Sequence, residues 1–262
     1  MNEAVGMIDA GKLFDFGKIA ADYAKYRDIY PAEFYQRIIN KGLCVKGQAV
    51  LDVGTGTGVL PRNLYPYGAS WTGLDCSEAQ IEMAKALSKG MNIRYLTAVA
   101  EKPPFEEHSF DVITACQCYW YFDHEKTAPA FRKLLRNNGR LLLLCMEWLP
   151  FEDKIAAASE RLVLRFSPNW TGAGALMRPI EVPDCYYRYF EPVSHEEFLL
   201  RVPFTRESWN GRMKACRGVG VSLTPQEIAT WEEAHKKLLA EIAPARFTIL
   251  HYAAITELKR TG

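Results

Sequence analysis

The residues best placed to do chemistry sit in one loop: Asp52, Val53, Gly54, Thr55, Gly56, Thr57 and Gly58, entered from the apolar run Gln48 to Val53 and left through a helical pattern. Glycine lacks a Cβ and takes positive φ, so such a loop lets main chain come close to a ligand. The helix beyond it offers free N–H groups and a positive dipole end to a carboxylate or phosphate. Asp75, 21 residues beyond Gly54, closes the next apolar run, where a carboxylate can accept both hydroxyl protons of a ribose. A dinucleotide fingerprint wants glycines spaced GxGxxG, which from Gly54 and Gly56 puts the third at position 59. That residue is Val59, and Gly58 gives GxGxG instead.

A second group is aromatic and acidic. Tyr119, Trp120 and Tyr121 follow one apolar run, and Glu147 and Trp148 follow another, at the carboxyl ends of strands where open α/β sheets place their ligands. Candidates to move a proton are Tyr26, Tyr119, Glu147, His124 and His195. His108, His235 and His251 are expected on the surface or in the core. Arg212, Lys214 and Arg217 either form a cationic patch for an acidic ligand or are solvated helix charges. No H-E-x-x-H or CxxC spacing occurs, so no metal site is expected. The seven cysteines are scattered and read as small hydrophobes.

These groups must be held by strands alternating with helices. Runs at 48–53, 70–74, 92–97, 110–116 and 140–145 read as five strands, with helices over 58–65, 78–88 and 125–135 between them. Ser77 and Gln80 propose a capping box for the second helix. The alternation predicts an α/β fold, a Rossmann-like doubly wound and mostly parallel sheet. From Phe151 to Pro203 the sequence is aromatic and proline-containing and reads as an inserted lid, with Trp170, Tyr186, Tyr187, Tyr189 and Phe190 lining a pocket or an interface. Thr224, Pro225 and Glu227 start a helix running to Ile242, and Phe247 to Glu257 reads as a strand returning to the sheet. The layout expected is entry helices over 1–46, a ligand-binding core over 47–148, a lid over 149–245 and the returning strand over 246–262.

At 262 residues, 48% hydrophobic and 24% charged, the chain is of ordinary globular composition. A formal net charge of +1 provides no electrostatic footprint for nucleic acid. No run is long enough to cross a bilayer, and residues 1–17 lack the pattern of a secretory signal, so a cytoplasmic protein without membrane partners is expected.

From about residue 20 to 147 the chain resembles the class I S-adenosylmethionine-dependent methyltransferases, and within them the type 11 small-molecule group with its trans-aconitate and ubiquinone-pathway members. The resemblance rests on Asp52 with the GxGxG loop, on Asp75, on Ala98 to Phe105, on Ser109 to Val112, on Cys116 to Trp120 and on Leu135 to Gly139. Tyr23 to Arg27, with Tyr30 and Pro31, resembles the helix that closes over the cofactor; Phe204 to Ala240 is more loosely similar to the lid helices of the trans-aconitate branch. The resemblance implies S-adenosylmethionine contacts from Arg27, Asp52, Gly54, Thr55, Gly56, Gly58, Asp75, Cys76, Ala100, Glu101 and Cys116, with Asp52 near the ammonium group. It implies an acceptor wall from Tyr23, Tyr119, Trp120 and Trp148. The chain departs from the pattern at three places. Val99 stands where an acid usually meets adenine, so recognition there falls to the Ala100 main chain, Glu101 or packing. Tyr119 replaces a histidine, and Asn137 replaces a proline. The function implied is in-line methyl transfer to a small molecule; a nicotinamide-dependent oxidoreductase and a non-catalytic S-adenosylmethionine-binding module are the alternatives.

Overall fold

The computed structural model describes Asp9 and residues 16–262, with only the backbone described at Phe16 and Lys18. The rest of the segment expected to open the entry helices lies outside the described residues. Helices α1 (Ala20–Tyr26) and α2 (Ala32–Asn40) precede β1 (Ala49–Val53). Then follow α3 (Val59–Leu64), β2 (Ser70–Asp75), α4 (Glu78–Leu87), β3 (Ile93–Thr97), β4 (Phe110–Cys116), α5 (His124–Leu134) and β5 (Leu135–Trp148). The chain continues through α6 (Lys154–Phe166), β6 (Phe190–Thr205), α7 (Arg206–Lys214), α8 (Pro225–Ile242) and β7 (Arg246–Arg260).

The strands form one seven-stranded sheet in the order β3-β2-β1-β4-β5-β7-β6. Pairings from β3 through β5 are parallel, and β7 runs antiparallel to both β5 and β6. Strand side chains alternate between faces, and here both faces are covered. Val50, Leu142 and Leu144 pack with Phe34 and Ile38 of α2, Leu60 and Leu64 of α3 and Trp231 of α8. Leu51, Leu141 and Leu143 pack on the other side with Ala128, Phe131 and Leu134 of α5. Near-continuous apolar runs are what two-sided burial demands.

Three features differ from the expected layout. Residues 190–205, expected within the lid, are a strand of the sheet. The lid over 149–245 is therefore corrected to α6 and the segment after it, followed by an edge strand and two helices. β6 hid because it carries Pro192, Pro203 and the charges Glu191, Glu196, Glu197 and Arg201, which an edge strand tolerates and a central one does not. Its inward face still alternates, with Leu200, Val202 and Phe204 buried. The turn expected at 136–139 is absorbed into β5 as a register irregularity, with Asn138 at φ +63°. At α4, Ser77 Oγ accepts the Gln80 amide at 3.5 Å, while the Gln80 side chain turns inward. The start expected at α8 is a complete capping box: Thr224 Oγ1 accepts the Glu227 amide and Glu227 accepts that of Thr224.

A buried polar network fixes α6, α7 and α8 to one another. Ser159 Oγ donates to the Ile155 carbonyl (2.8 Å) and accepts from Trp209 Nε1 (2.9 Å) and His235 Nε2 (3.0 Å). Asn210 Nδ2 in turn donates to His235 Nδ1 (3.0 Å). Each polar atom has a partner only if His235 is neutral with its proton on Nε2. Burial favours that form, pushing the imidazole down to about 4. His235 and His251 are thus core residues, as expected.

Candidate functional site

The loop expected to do chemistry opens onto a cavity of about 900 Å³ at the carboxyl ends of β1, β2, β4 and β5, near the top of the range of about 300–1,000 Å³ for small-molecule sites. Its floor is main chain from Val53, Gly54 and Gly56. Gly54, Gly56 and Gly58 all have positive φ, at +67°, +54° and +74°, which only glycine adopts at little cost. The space around the outer two is already full. A Cβ on Gly54 would lie 2.6 Å from Cys118 Sγ, and one on Gly58 2.3 Å from Tyr95 Oη. Gly56 is less crowded, with the Tyr23 ring 3.5 Å and Gln80 Oε1 3.9 Å from its Cβ position, both ordinary contacts.

Two carboxylates hold the loop. Asp52 is buried under it and accepts the hydroxyl protons of Thr55 (2.6 Å) and Thr114 (2.6 Å). Burial pushes its carboxyl up to about 6, against those two hydrogen bonds. Asp75 lies on the wall, where Oδ2 accepts the Gly56 amide (2.9 Å) and Oδ1 the Ser77 amide (2.9 Å). Burial raises it as well, and the backbone N–H groups oppose the shift.

Of the residues expected at the site, Tyr23, Arg27, Gly54, Gly56, Asp75, Cys76, Ala100, Glu101, Cys116, Tyr119, Trp120, Glu147 and Trp148 meet on this one cavity. Asp52, Thr55 and Gly58 lie behind the wall. The expected position of Asp52 beside a ligand ammonium is corrected: both its oxygens serve the threonine hydroxyls that shape the loop. Tyr26, a proton-transfer candidate, also falls outside. Its ring fills the space where a Cβ on Gly211 would sit, packing α1 on α7. His195 lies on the edge strand, bonded to Thr256 Oγ1 (2.8 Å) and Glu197 Oε1 (2.9 Å). His124 is off the wall, with Nδ1 3.4 Å from Tyr186 Oη.

Glu101 faces the cavity but gives Oε1 to the Asp123 amide (2.9 Å). The Val99 side chain is exposed on the rim. Tyr119 donates to the Glu181 carbonyl, and burial pushes its phenol up to about 12. Burial also raises Glu147, with Arg178 opposing. The thiols of Cys116 and Cys145 are pushed up to about 12 by burial and stay protonated at neutral pH. Gln117, at φ +60°, sits in a left-handed conformation uncommon for a residue with a Cβ. Its amide bonds the Leu144 carbonyl and its side chain the Met146 carbonyl, turning the chain out of β4 under the aromatic cluster.

Sequence reasoning missed the contributions of Cys118, Arg178 and Tyr252, which come from a loop, the lid and β7, whereas Trp170, expected to line a pocket or an interface, is on the cavity. It split the cationic patch only in alternatives, and each applies to part of it. Lys214 pairs with Asp22 (3.2 Å) and Glu232 (3.5 Å) on the helix surface, whereas Arg212 and Arg217 line the cavity. Arg27 lies over the Tyr23 ring at 4.6 Å and donates to its hydroxyl (3.3 Å). Among the described residues no cluster of three or more His, Cys, Asp or Glu is arranged to hold a metal ion, and no helix is long and apolar enough to cross a membrane.

Known proteins resemble this chain over the part that carries the glycine loop. Residues 51–143 match the model of the methyltransferase domain. A putative methyltransferase from Dictyostelium discoideum is 32% identical over 128 residues, covering 49% of this chain and 47% of that protein. A ubiquinone biosynthesis O-methyltransferase from Saccharophagus degradans is 26% identical over 187 residues, 67% of this chain and 78% of the relative. The crystal structure of the YcgJ protein from Bacillus subtilis superposes with a TM-score of 0.53 at 22% identity, covering 88% of this chain and all of that one, a likeness of fold. The chain spans about half the length of the first two curated relatives it matches. The methyltransferase-domain match thus falls on residues 51–143, within a Rossmann-like, mostly parallel sheet.

Proposed function

We propose that the chain transfers a methyl group from S-adenosylmethionine to a small-molecule acceptor by direct in-line displacement. The observation that carries this reading is the cavity built on the glycine loop and Asp75, roomy enough for a nucleoside-bearing cofactor and an acceptor together. The residues present fit that cofactor. The Asp75 carboxylate, oriented by two backbone N–H groups, faces the cavity and suits a ribose diol. Arg27, held over Tyr23 beside Gly56, suits the amino-acid carboxylate. Val99, Ala100, Cys76 and Glu101 border the region left for the purine, and Gly54 and Gly56 give a floor without side chains. Thr55, Gly58 and Asp52 act at one remove, by fixing the loop.

When bound, S-adenosylmethionine supplies an electrophilic methyl carbon on a sulfonium. The protein has to hold the acceptor in line with it at roughly 3 Å and exclude water. Tyr23, Tyr119, Trp120 and Trp148 offer the acceptor wall, and Cys116 borders the space between the two ligands. Glu147 is the residue to accept a proton where the acceptor loses one, because burial has already raised its basicity. Tyr119 holds its own proton too tightly and serves the wall. The relatives named for ubiquinone biosynthesis favour a small-molecule acceptor. All seven cysteines are free, which suits the reducing cytoplasm.

Calorimetric titration with S-adenosylmethionine, S-adenosylhomocysteine and NAD tests the reading. Binding of the first two and not of NAD is expected; absence of binding to both sulfur ligands sinks it. Incubating the protein with labelled donor and a metabolite extract then finds the acceptor.

A further inference from the structure

Arg212 is the most deeply buried arginine on the cavity. It sits on α7, three residues after Trp209, and the Ser159–His235 network holds that helix fast. The side chain is 5% exposed, its guanidinium lies 4.7 Å over the Trp148 ring, and neither Nε nor Nη1 has a hydrogen-bond partner. No carboxylate of the described chain pairs with it. The groups acting on its charge are burial, Arg27 and the neutral Cys216, Tyr23 and Tyr30. Its neighbours show what a paired arginine looks like here: Arg217 is spent on Asp9 (3.1 Å) and Tyr121 (2.7 Å). A buried guanidinium without a counter-anion is costly and rarely kept for stability. A site that leaves polar groups unpaired until its ligand arrives gains specificity from that deficit.

Building on the methyltransferase reading, we infer that Arg212 is the acceptor's anion site and that the acceptor is a planar, unsaturated or aromatic carboxylic acid. The cofactor brings one carboxylate, and Arg27, one ring away from Gly56, is positioned to take it. Arg212, stacked on Trp148 at the end of β5 and not on Tyr23, is left for a second anion. Trp148 beneath it holds the guanidinium in place, and Tyr119 and Trp120 on the same cavity give that anion's carrier flat apolar walls. A guanidinium fork matches a carboxylate in two parallel bonds, which fixes the acceptor's orientation relative to the methyl donor. The carboxylate is the anchor.

The test is calorimetry on the protein saturated with S-adenosylhomocysteine. Benzoate, phenylacetate, cinnamate and indole-3-acetate are titrated against their amides into wild type, Arg212→Met and Arg212→Lys. At least one acid should bind ten-fold or more tighter than its amide to wild type. The Met variant should lose that preference and the Lys variant keep part of it, with S-adenosylhomocysteine affinity changed less than three-fold in both. Because Arg212 gives up no ion pair among the described residues and methionine can still pack on Trp148, the ligand-free Met variant should melt at or above the wild-type temperature, whereas a purely structural arginine would give a lower one. The inference is overturned if no acid outbinds its amide in wild type, if the preference survives in the Met variant, or if that variant loses S-adenosylhomocysteine as strongly as Arg27→Met does. Failure of wild type to bind S-adenosylhomocysteine would instead remove the methyltransferase reading.

Discussion

Replacing Asp75 by Ala removes a carboxylate that touches both the loop and the cavity. In the free protein its oxygens accept the Gly56 and Ser77 amides, which fixes the carboxylate with its remaining lone pairs toward the ligand. Two hydroxyl donors on a charged acceptor contribute about 1.5–3 kcal/mol each. Losing both therefore costs about 3–6 kcal/mol, or at least about a hundred-fold in affinity. Asp75→Asn keeps one acceptor oxygen and should lose about half of that free energy. Calorimetry with S-adenosylhomocysteine and its 2′-deoxy analogue completes a thermodynamic cycle: the missing hydroxyl should weaken binding to wild type and leave binding to Asp75→Ala nearly unchanged. Freeing the two backbone amides also lowers stability by about 1–2 kcal/mol, so both variants should be compared below their melting transitions. An Ala variant that binds within three-fold of wild type, or a deoxy analogue that loses equally in both proteins, refutes the ribose assignment.

Three further outcomes follow from the same geometry. Asp52 holds its proton more tightly folded, at about 6, than unfolded, at about 3.9, so its contribution is fully present below pH 4 and lost as pH rises through 6. About two units correspond to about 3 kcal/mol, and urea melts at pH 4.5 and 7.5 should show wild type losing most of that relative to Asp52→Asn; parallel losses in the two proteins would contradict it. Gly54→Ala should destabilise by about 2–4 kcal/mol, combining a left-handed alanine with overpacking. Adding Cys118→Gly should recover the steric part, read by thermal denaturation. Ser159→Ala strands the Trp209 and His235 donors and should cost about 1–3 kcal/mol for each left without a partner; a melting temperature equal to wild type would mean that water or a shifted side chain replaces the hydroxyl.

The glycine loop, Asp75 and the first five strands were legible because each leaves a local mark. Two-sided burial makes Phe110 to Cys116 almost wholly apolar, and positive φ demands glycine at 54, 56 and 58. β6 left a mixed one, since its prolines and charges mask the alternation of Leu200, Val202 and Phe204. The interior of the site was less legible than its rim. Asp52 reads the same on paper whether it meets a ligand or two threonines, and only the Thr114 hydroxyl, 62 residues away, decides. Arg212 likewise looks like one more helix charge until Trp148 and the fixed α7 put it under a roof.

The placement of β7 has a bearing on how the molecule comes to be made. Residues 246–260 pair with β5 on one side and β6 on the other, so partners such as Arg140 and Lys259 must find each other across more than a hundred residues. During synthesis β5 and β6 both wait with open edges until that stretch has left the ribosome, and contacts of such separation in sequence form slowly. The 51–143 segment that carries the family pattern is thus not a folding unit. A fragment ending there would leave unpaired the β5 edge that β7 covers and should aggregate.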